Sequence, residues 1–545
     1  MARPCPLATL LAVVCAACSG SGGSDAGSSG GDASVDLAAD AVMDEGVDLP
    51  PELRECEGSF VVETTEALDA LAGCTRITGD LTIQNLPLVE SLTPLGFLAR
   101  IDGSLVLRDD VARTDLRGLD ALTAIGGDLD IEDAEALESL AGLDALASVG
   151  GGLRLRSRRE LATTEGLGPV PQVAFLAIEE NVALASLAGL AGLREVLGDV
   201  TVTGQLALPS LAGLGDLARV GGTLQLVRLP ELTDVSGLVN LARVEGRLLL
   251  DDVPQLTALG ALASLAFVGG DLTLLDLPAL TSLEGLAPIE GIDGVEVQNA
   301  ALTSLAGLPV PADASFLRLR GLAALTDASA LAPLRTLAGD LTLSGLPALS
   351  DLTPLAGVTE VRGSLSLEDV GTADLGAFAA WSGTSRGLSV VGCAALTDVS
   401  GLGAAGVRVA DVRFEANASL TSFAGLPEGF APNNLRIADH VLLASLAGLE
   451  GLEVLGELQL EANPALGTLA GLEGLRDVTN DLEIVANATL STLGALEGGS
   501  LARVGRDLRV ENNVSLPPCE VDDLAAAVSV GRNVRNAGNT GAGCP

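Results

Sequence analysis

The chain has 545 residues and a formal charge of −42, with 72 acidic against 30 basic side chains. All 30 basic residues are arginine, tyrosine is absent, and there is one tryptophan (Trp381) and one histidine (His440). Lysine Schiff bases are therefore excluded, a His-dependent triad or multi-histidine metal site has almost no material, and a nucleic-acid surface lacks the positive charge that phosphate needs.

Residues 1–18 read MARPCPLATLLAVVCAAC. Arg3 gives a minimal positive start, and Leu7 to Ala17 form an apolar run too short to span a bilayer. Ala16-Ala17-Cys18 resembles the end of a bacterial lipobox, in which small residues precede the cysteine that becomes lipidated. Cys15 stands where that motif usually has leucine. The resemblance implies a lipoprotein signal peptide over 1–18, lipidation at Cys18 and a membrane partner through the lipid. Ser19 in place of Asp resembles outer-membrane rather than inner-membrane sorting in a Gram-negative cell. An ordinary cleaved signal peptide is the alternative. Residues 19–55 are rich in Gly, Ser and Asp and carry −8. Such a segment cannot build a core and is predicted to be a disordered acidic tether with a reach of about 33 Å.

A repeat starts at Gly79: GDLTI (79–83), GSLVL (103–107), GDLDI (127–131) and GGLRL (151–155). It continues to LRV (508–510) as 19 rungs spaced by 22–26 residues. Each rung has an alternating strand, then a section such as Leu280, Leu283 and Leu286, then a third section such as Leu241 and Val244 ending at Gly. Alternation turns Leu272 and Leu274 inward and Thr273 outward. One rung cannot bury its apolar side alone, whereas stacked rungs bury a continuous core. The expected product is a β-rich repeat solenoid, with a regular array over 79–513 forming a rod about 85–90 Å long. Asn181, Asn299, Asn417, Asn463, Asn487 and Asn513 precede the second section by three residues and are expected to satisfy backbone groups at a corner.

The pattern L-x-x-L-x-x-V-x-G-D-L-x-I-x-x-N-x-x-L resembles leucine-rich repeats, and more closely the receptor L-domain family, over residues 56–545. The resemblance implies a right-handed parallel β-helix-like array. It is specific for fold and uninformative about ligand. Proline segments at Gly168–Pro171, Leu308–Pro311 and Leu426–Pro432 are candidate joints or bends. One continuous solenoid is the first reading and tandem L domains the second.

Open solenoid ends need atypical terminal units. Residues 56–78 and 514–545 are read as N- and C-terminal caps, stapled by disulfides Cys56–Cys74 and Cys519–Cys544 in an oxidising compartment. A metal site is the alternative for these cysteines, and no Cys-x-x-Cys supports it. Cys393 is left over and is expected to be buried. Asp128 to Asp133 imitates the start of a calcium loop but lacks its glycine and closing glutamate, so a solvated surface is preferred. His440 is read as a surface or loop residue, and Phe378 and Trp381 as core filling. No catalytic residue, cofactor or metal site is proposed, and the chain is not read as an enzyme.

The outward column runs Thr82, Val106, Asp130, Arg154, Ala177, Thr201, Gln225, Leu249, Thr273, Glu296, Arg318, Thr342, Ser366, Ser389, Arg413, Arg436, Gln459, Glu483 and Arg509, with no fixed residue type. Arg154, Arg156, Arg158 and Arg159 form a basic island, the sequence's candidate for holding an anionic group. Pairing with the adjacent acidic rung is the favoured alternative. The expected function is an exported, cell-envelope-anchored binding or adhesion protein presenting a long β face to a protein or glycan, with outer-membrane or cell-surface localisation. A structural spacer without specific ligand is the alternative.

Overall fold

The inward positions of successive rungs are aliphatic almost without exception, and stacking is the arrangement that buries them all. In the computed structural model, which describes residues 51–86, 91–109, 113–156, 159–286, 288–497 and 501–543, they form one parallel β-solenoid. Residues from Pro51 onward make up one compact unit. Residues 1–50 with Cys18, and also Arg158 and Cys544, lie outside the described residues.

Among the described residues the main sheet has 21 strands, each paired in parallel with the main-sheet strand of the neighbouring rung. It is an open ladder: Phe60–Val62 pairs only with Leu81–Gln84 at one end, and Val534–Ala537 only with Leu508–Glu511 at the other. Both predicted caps therefore contribute a rung, giving 21 where the repeat pattern shows 19. The last escapes the pattern because Asn536 occupies the second inward position, opposite Val510. The first short strand, Arg54–Cys56, begins inside the segment expected to be tether. Register offsets are mostly 24 residues, as in Leu81↔Leu105.

The second section of many rungs closes in a short 3-10 turn, such as Ser236–Leu238. The third forms two-residue strands such as Arg219–Val220 and Arg243–Val244, paired into small sheets of their own. Leu224, Leu226, Leu229, Leu232 and Leu241 are fully buried, and this recurs rung after rung. At about 1.5–3 kcal/mol per buried aliphatic side chain, burial across rungs is the dominant stabilising term. Phe378 and Trp381 are part of that core.

Each proline segment coincides with a break in the small sheets: between Ser148–Val149 and Gln172–Val173, between Phe267–Val268 and Asp313–Ala314, and between Glu360–Val361 and Val454–Leu455. The first has a direct cause. Ala99, Thr123 and Ala147 each donate a backbone N–H to the rung before, and Pro171, next in that column, has none to give. The main sheet passes all three breaks without interruption, so the solenoid is continuous across them.

Two corner devices recur. At the start of the strand a side-chain oxygen accepts the next rung's backbone N–H. Ser59 takes Asp80 N at 2.9 Å, Asp80 takes Ser104 N at 2.8 Å, Ser104 takes Asp128 N at 3.0 Å, and Asp128 takes Gly152 N at 2.7 Å. This explains the repeated Gly-Asp. At the far end, the residue four places after the first inward position has positive φ in rung after rung, as at Asn85, Asp252, Asp369 and Asn512. The next residue turns into the core and defines a buried corner column.

That column is apolar from Leu229 to Val370 and polar from Cys393 to Asn539. Asn181, Asn417, Asn463, Asn487 and Asn513 occupy it as expected, buried. Asn299 does not: it sits one place early, at φ 53°, with its amide on Asp276, and Ala300 takes the buried position. His440 also differs from expectation. It is fully buried in the column, because the turn after Leu435 is built like its neighbours and leaves the fifth residue no other direction.

Candidate binding face

Strand alternation leaves one face of the main sheet outside the core, and the parallel register aligns the predicted outward column from Thr82 to Arg509. Val61 and Arg535 extend it by one residue at each end. Parts of it are covered by longer neighbours. Arg247 donates twice to Thr273 Oγ1, at 3.0 and 2.9 Å, and Thr273 is buried.

The arginines of this column are paired with carboxylates within their own rung or across rungs. Arg318 lies 3.7 Å from Glu296 and 3.6 Å from Asp340. Arg413 is held by Glu415, and Arg436 lies between Glu415 at 3.6 Å and Glu461 at 2.9 Å. Arg509 binds Glu511 at 2.8 Å. At the basic island, Arg154 meets Asp130 at 3.2 Å, with its guanidinium 5.2 Å from the Phe175 ring. Arg108 completes the cluster through Glu132 at 3.2 Å. Arg156 is half-buried and Arg159 exposed. Burial, with Glu132 adding to it, pushes the Asp130 carboxyl up, against the pull of Arg154 and Arg108. Local pairing thus takes up Arg154. Asp128 is engaged at its corner through Gly152, and among the described residues no three His, Cys, Asp or Glu side chains gather as metal ligands.

The marked concavity of the face lies elsewhere. A groove of about 390 Å³ crosses the rungs from Ser364 to Gln459. Its floor is small, made by Ser364, Gly387 and Ser389, and Arg413 and Arg436 stand beside it with Asp411, Asn434 and Glu457. Backbone geometry contributes. In Val361-Arg-Gly-Ser-Leu365 three residues separate the buried short-strand residue from the first inward leucine. In Ser385-Arg-Gly-Leu388 and Val409-Ala-Asp-Val412 there are two. The shorter corner straightens, so Thr384–Val391 and Arg408–Glu415 each run as one eight-residue strand and the sheet widens. Within the groove, Asn434 donates to Asp411 at 2.7 Å, Arg436 to Gln459 at 2.8 Å, and Gln459 to Glu457 at 2.6 Å. Sequence reading placed Ser389, Arg413, Arg436 and Gln459 on the face without singling them out, and did not place Ser364, Gly387, Asp411, Asn434 or Glu457 there. The available signal was the pair of shortened corners beside consecutive small outward residues.

Behind the groove, the corner column is a continuous hydrogen-bonded series. Asn417 Oδ1 accepts Cys393 N at 2.9 Å, and Asn463 Oδ1 accepts His440 N at 3.0 Å. Asn487, Asn513 and Asn539 repeat the arrangement. His440 bridges its neighbours, with Nδ1 3.3 Å from Asn463 Oδ1 and Nε2 3.3 Å from Asn417 Nδ2. An Nδ1–H donor and an Nε2 acceptor satisfy both contacts, so the neutral ring fits. Burial lowers its pKa to about 4, against the opposing pull of Asn463. Cys393 is buried, as expected, and burial pushes its thiol up. Cys56 and Cys74 are disulfide-bonded, and Cys519 is also disulfide-bonded.

No protein-family model and no curated protein matches the chain. Among solved structures it is similar to that of a TLR13–ssRNA13 complex, at 14% identity with a TM-score of 0.34, over 87% of this chain and 76% of that one. A likeness this loose carries no function across.

Proposed function

We propose that the chain is a binding or adhesion module that presents the outward face of its main sheet to a protein or glycan partner. One observation carries this reading. The inward columns are aliphatic almost without exception, whereas the aligned outward column varies in size, charge and polarity over its whole length. A scaffold needs fixed inward residues, and a varied outward column suits recognition of a partner. A solenoid spreads such contacts over a long rigid surface, so many modest contacts add up. Probing protein and glycan arrays with the full chain tests this, with tryptophan placed at Thr201, Thr342 or Ser389 in turn. Signal lost on at least one of these and kept on Arg219→Glu, on the small-sheet face, is the expected result. Loss on Arg219→Glu alone refutes the assignment of the face.

A structural spacer is the second reading. It is favoured by the pairing of Arg154, Arg318, Arg413, Arg436 and Arg509 with carboxylates, which leaves little uncompensated positive charge for a partner. Absence of any array signal selects it.

In either reading the module is exported, lipidated at Cys18 and held at the cell envelope, at the outer membrane or cell surface, by the acidic segment that follows Cys18 and precedes Pro51. Supporting this are the lipobox-like Ala16-Ala17-Cys18 and the Gly/Ser/Asp composition that follows it. Radiolabelled palmitate should enter the chain and be lost in Cys18→Ala. Label that persists in that variant refutes the anchor.

A further inference from the structure

Resting on the binding reading above, we propose that the groove over Ser364, Gly387 and Ser389 binds an uncharged oligosaccharide. Three observations narrow the occupant. First, every strand beneath the groove is paired on both sides, so no backbone edge is free and an extended peptide cannot add to the sheet. Recognition has to come from side chains. Second, the floor is built from small residues and no aromatic side chain lines it, so it lacks the bulky anchor pockets in which large peptide side chains sit. Third, the groove's two arginines face more than their number of carboxylates. Glu415 and Glu461 hold Arg413 and Arg436, and Asp411 and Glu457 add negative charge at the rim. An anionic ligand is disfavoured there, and more so on a chain at −42.

What remains is a dense set of donors and acceptors side by side: guanidinium edges, the Asn434 and Gln459 amides, serine hydroxyls and carboxylate oxygens. A sugar hydroxyl both donates and accepts, so a run of hydroxyls matches such a set. The volume of about 390 Å³ falls in the range of small-molecule sites, roughly 300–1,000 Å³. Ser389 is the key floor residue. Any larger side chain there fills the space between Ser366 and Arg413, its neighbours in the outward column.

The test titrates the full chain with maltotriose, cellotriose, mannotriose and chitotriose, with oligogalacturonate and a heparin-derived oligosaccharide, and with a peptide array. Variants are Ser389→Trp, which fills the groove, Arg413→Ala, which removes a wall, and Arg219→Glu, on the small-sheet face away from it. Circular dichroism checks that each is folded. The expected result is binding of a neutral trisaccharide, weakened tenfold or more by Ser389→Trp and by Arg413→Ala and unchanged by Arg219→Glu. Preference for the anionic oligosaccharides overturns the inference. So does neutral-sugar binding indifferent to both groove variants, or binding of peptides alone. Each of those leaves the binding face standing, whereas silence toward every probe sinks both.

Discussion

The buried corner column is handled in two ways along one solenoid. In the middle rungs it is apolar (Leu229, Val253, Leu277, Ala300, Leu322, Leu346, Val370), and several strands simply run on to include it, as in Leu272–Leu277 and Leu341–Leu346. There the corner's backbone groups pair with the next rung, as Leu346 does with Val370. Toward the C-terminus the strands stop earlier, at Val485 and Glu511, and stacked amides take over the same duty. A tight turn denies the backbone its partner, and a side chain returns it. The comparison teaches that a corner can be closed by backbone or by side chain, but a rung must match its neighbours, because each amide bonds to the next.

Breaking that match has the largest expected effect. Asn487 Oδ1 accepts the Asn463 N–H, and its Nδ2 donates to Leu460 O at 3.0 Å. Asn487→Leu leaves both groups buried without their partner, at about 1–3 kcal/mol each, so a loss of about 4 kcal/mol is expected in urea unfolding. Hydrogen exchange at the Asn463 amide should accelerate in the same variant. The reverse swap, Leu346→Asn, places an amide between Leu322 and Val370, which offer it no side-chain partner, and should cost about 3 kcal/mol. If either variant is neutral, the two halves of the column are interchangeable and the comparison fails.

These contrasts show where sequence reading reaches and where it stops. The register of the 19 regular rungs and the outward column follow from period and alternation, because every such rung must bury the same aliphatic positions, whereas the two terminal rungs escape the pattern. Asn417, Asn463, Asn487 and Asn513 were legible as corner groups because their spacing recurs. Asn299 has the same spacing to the second section, but the residue count between strand and second section is one fewer there, which moves it out of the column. His440 was illegible as a single histidine, since nothing about its type says that it replaces an asparagine in a stack. The groove was illegible for another reason: it arises from two shortened corners and from which side chains then become neighbours.

His440 gives the next effect. Its folded pKa of about 4 lies below the 6.5 of the exposed ring, so between those values the unfolded chain binds a proton that the folded chain does not. Stability is therefore full above pH 6.5 and falls as pH drops toward 4. At pH 5 the loss is about 2 kcal/mol relative to neutral pH. His440→Asn puts the column's usual residue in place and should remove this part of the pH dependence. Urea unfolding of both proteins at pH 7 and pH 5 measures the difference. An unchanged acid-side slope in His440→Asn means that other groups control it.

The smallest effect concerns the residue before the column, which has positive φ in both halves. The middle rungs place Arg228, Asp252, Asp276, Gly321, Gly345 and Asp369 there, and the C-terminal rungs use Ala416, Ala462 and Ala486 as well as Asp439 and Asn512. Alanine has neither glycine's freedom nor a side chain able to bond locally, so at φ 54° Ala462 carries strain of about 1–2 kcal/mol. Part of that is regained in Ala462→Gly, where the looser unfolded chain offsets the rest, for a net gain of about 1 kcal/mol. Gly345→Ala should lose about as much, since its φ is 66°. Opposite signs for the two swaps show that the turn is the same in both halves and that only the means of satisfying the corner beside it differs. A gain in both, or a loss in both, shows that the two turns differ and that the amide stack reshapes the backbone it serves.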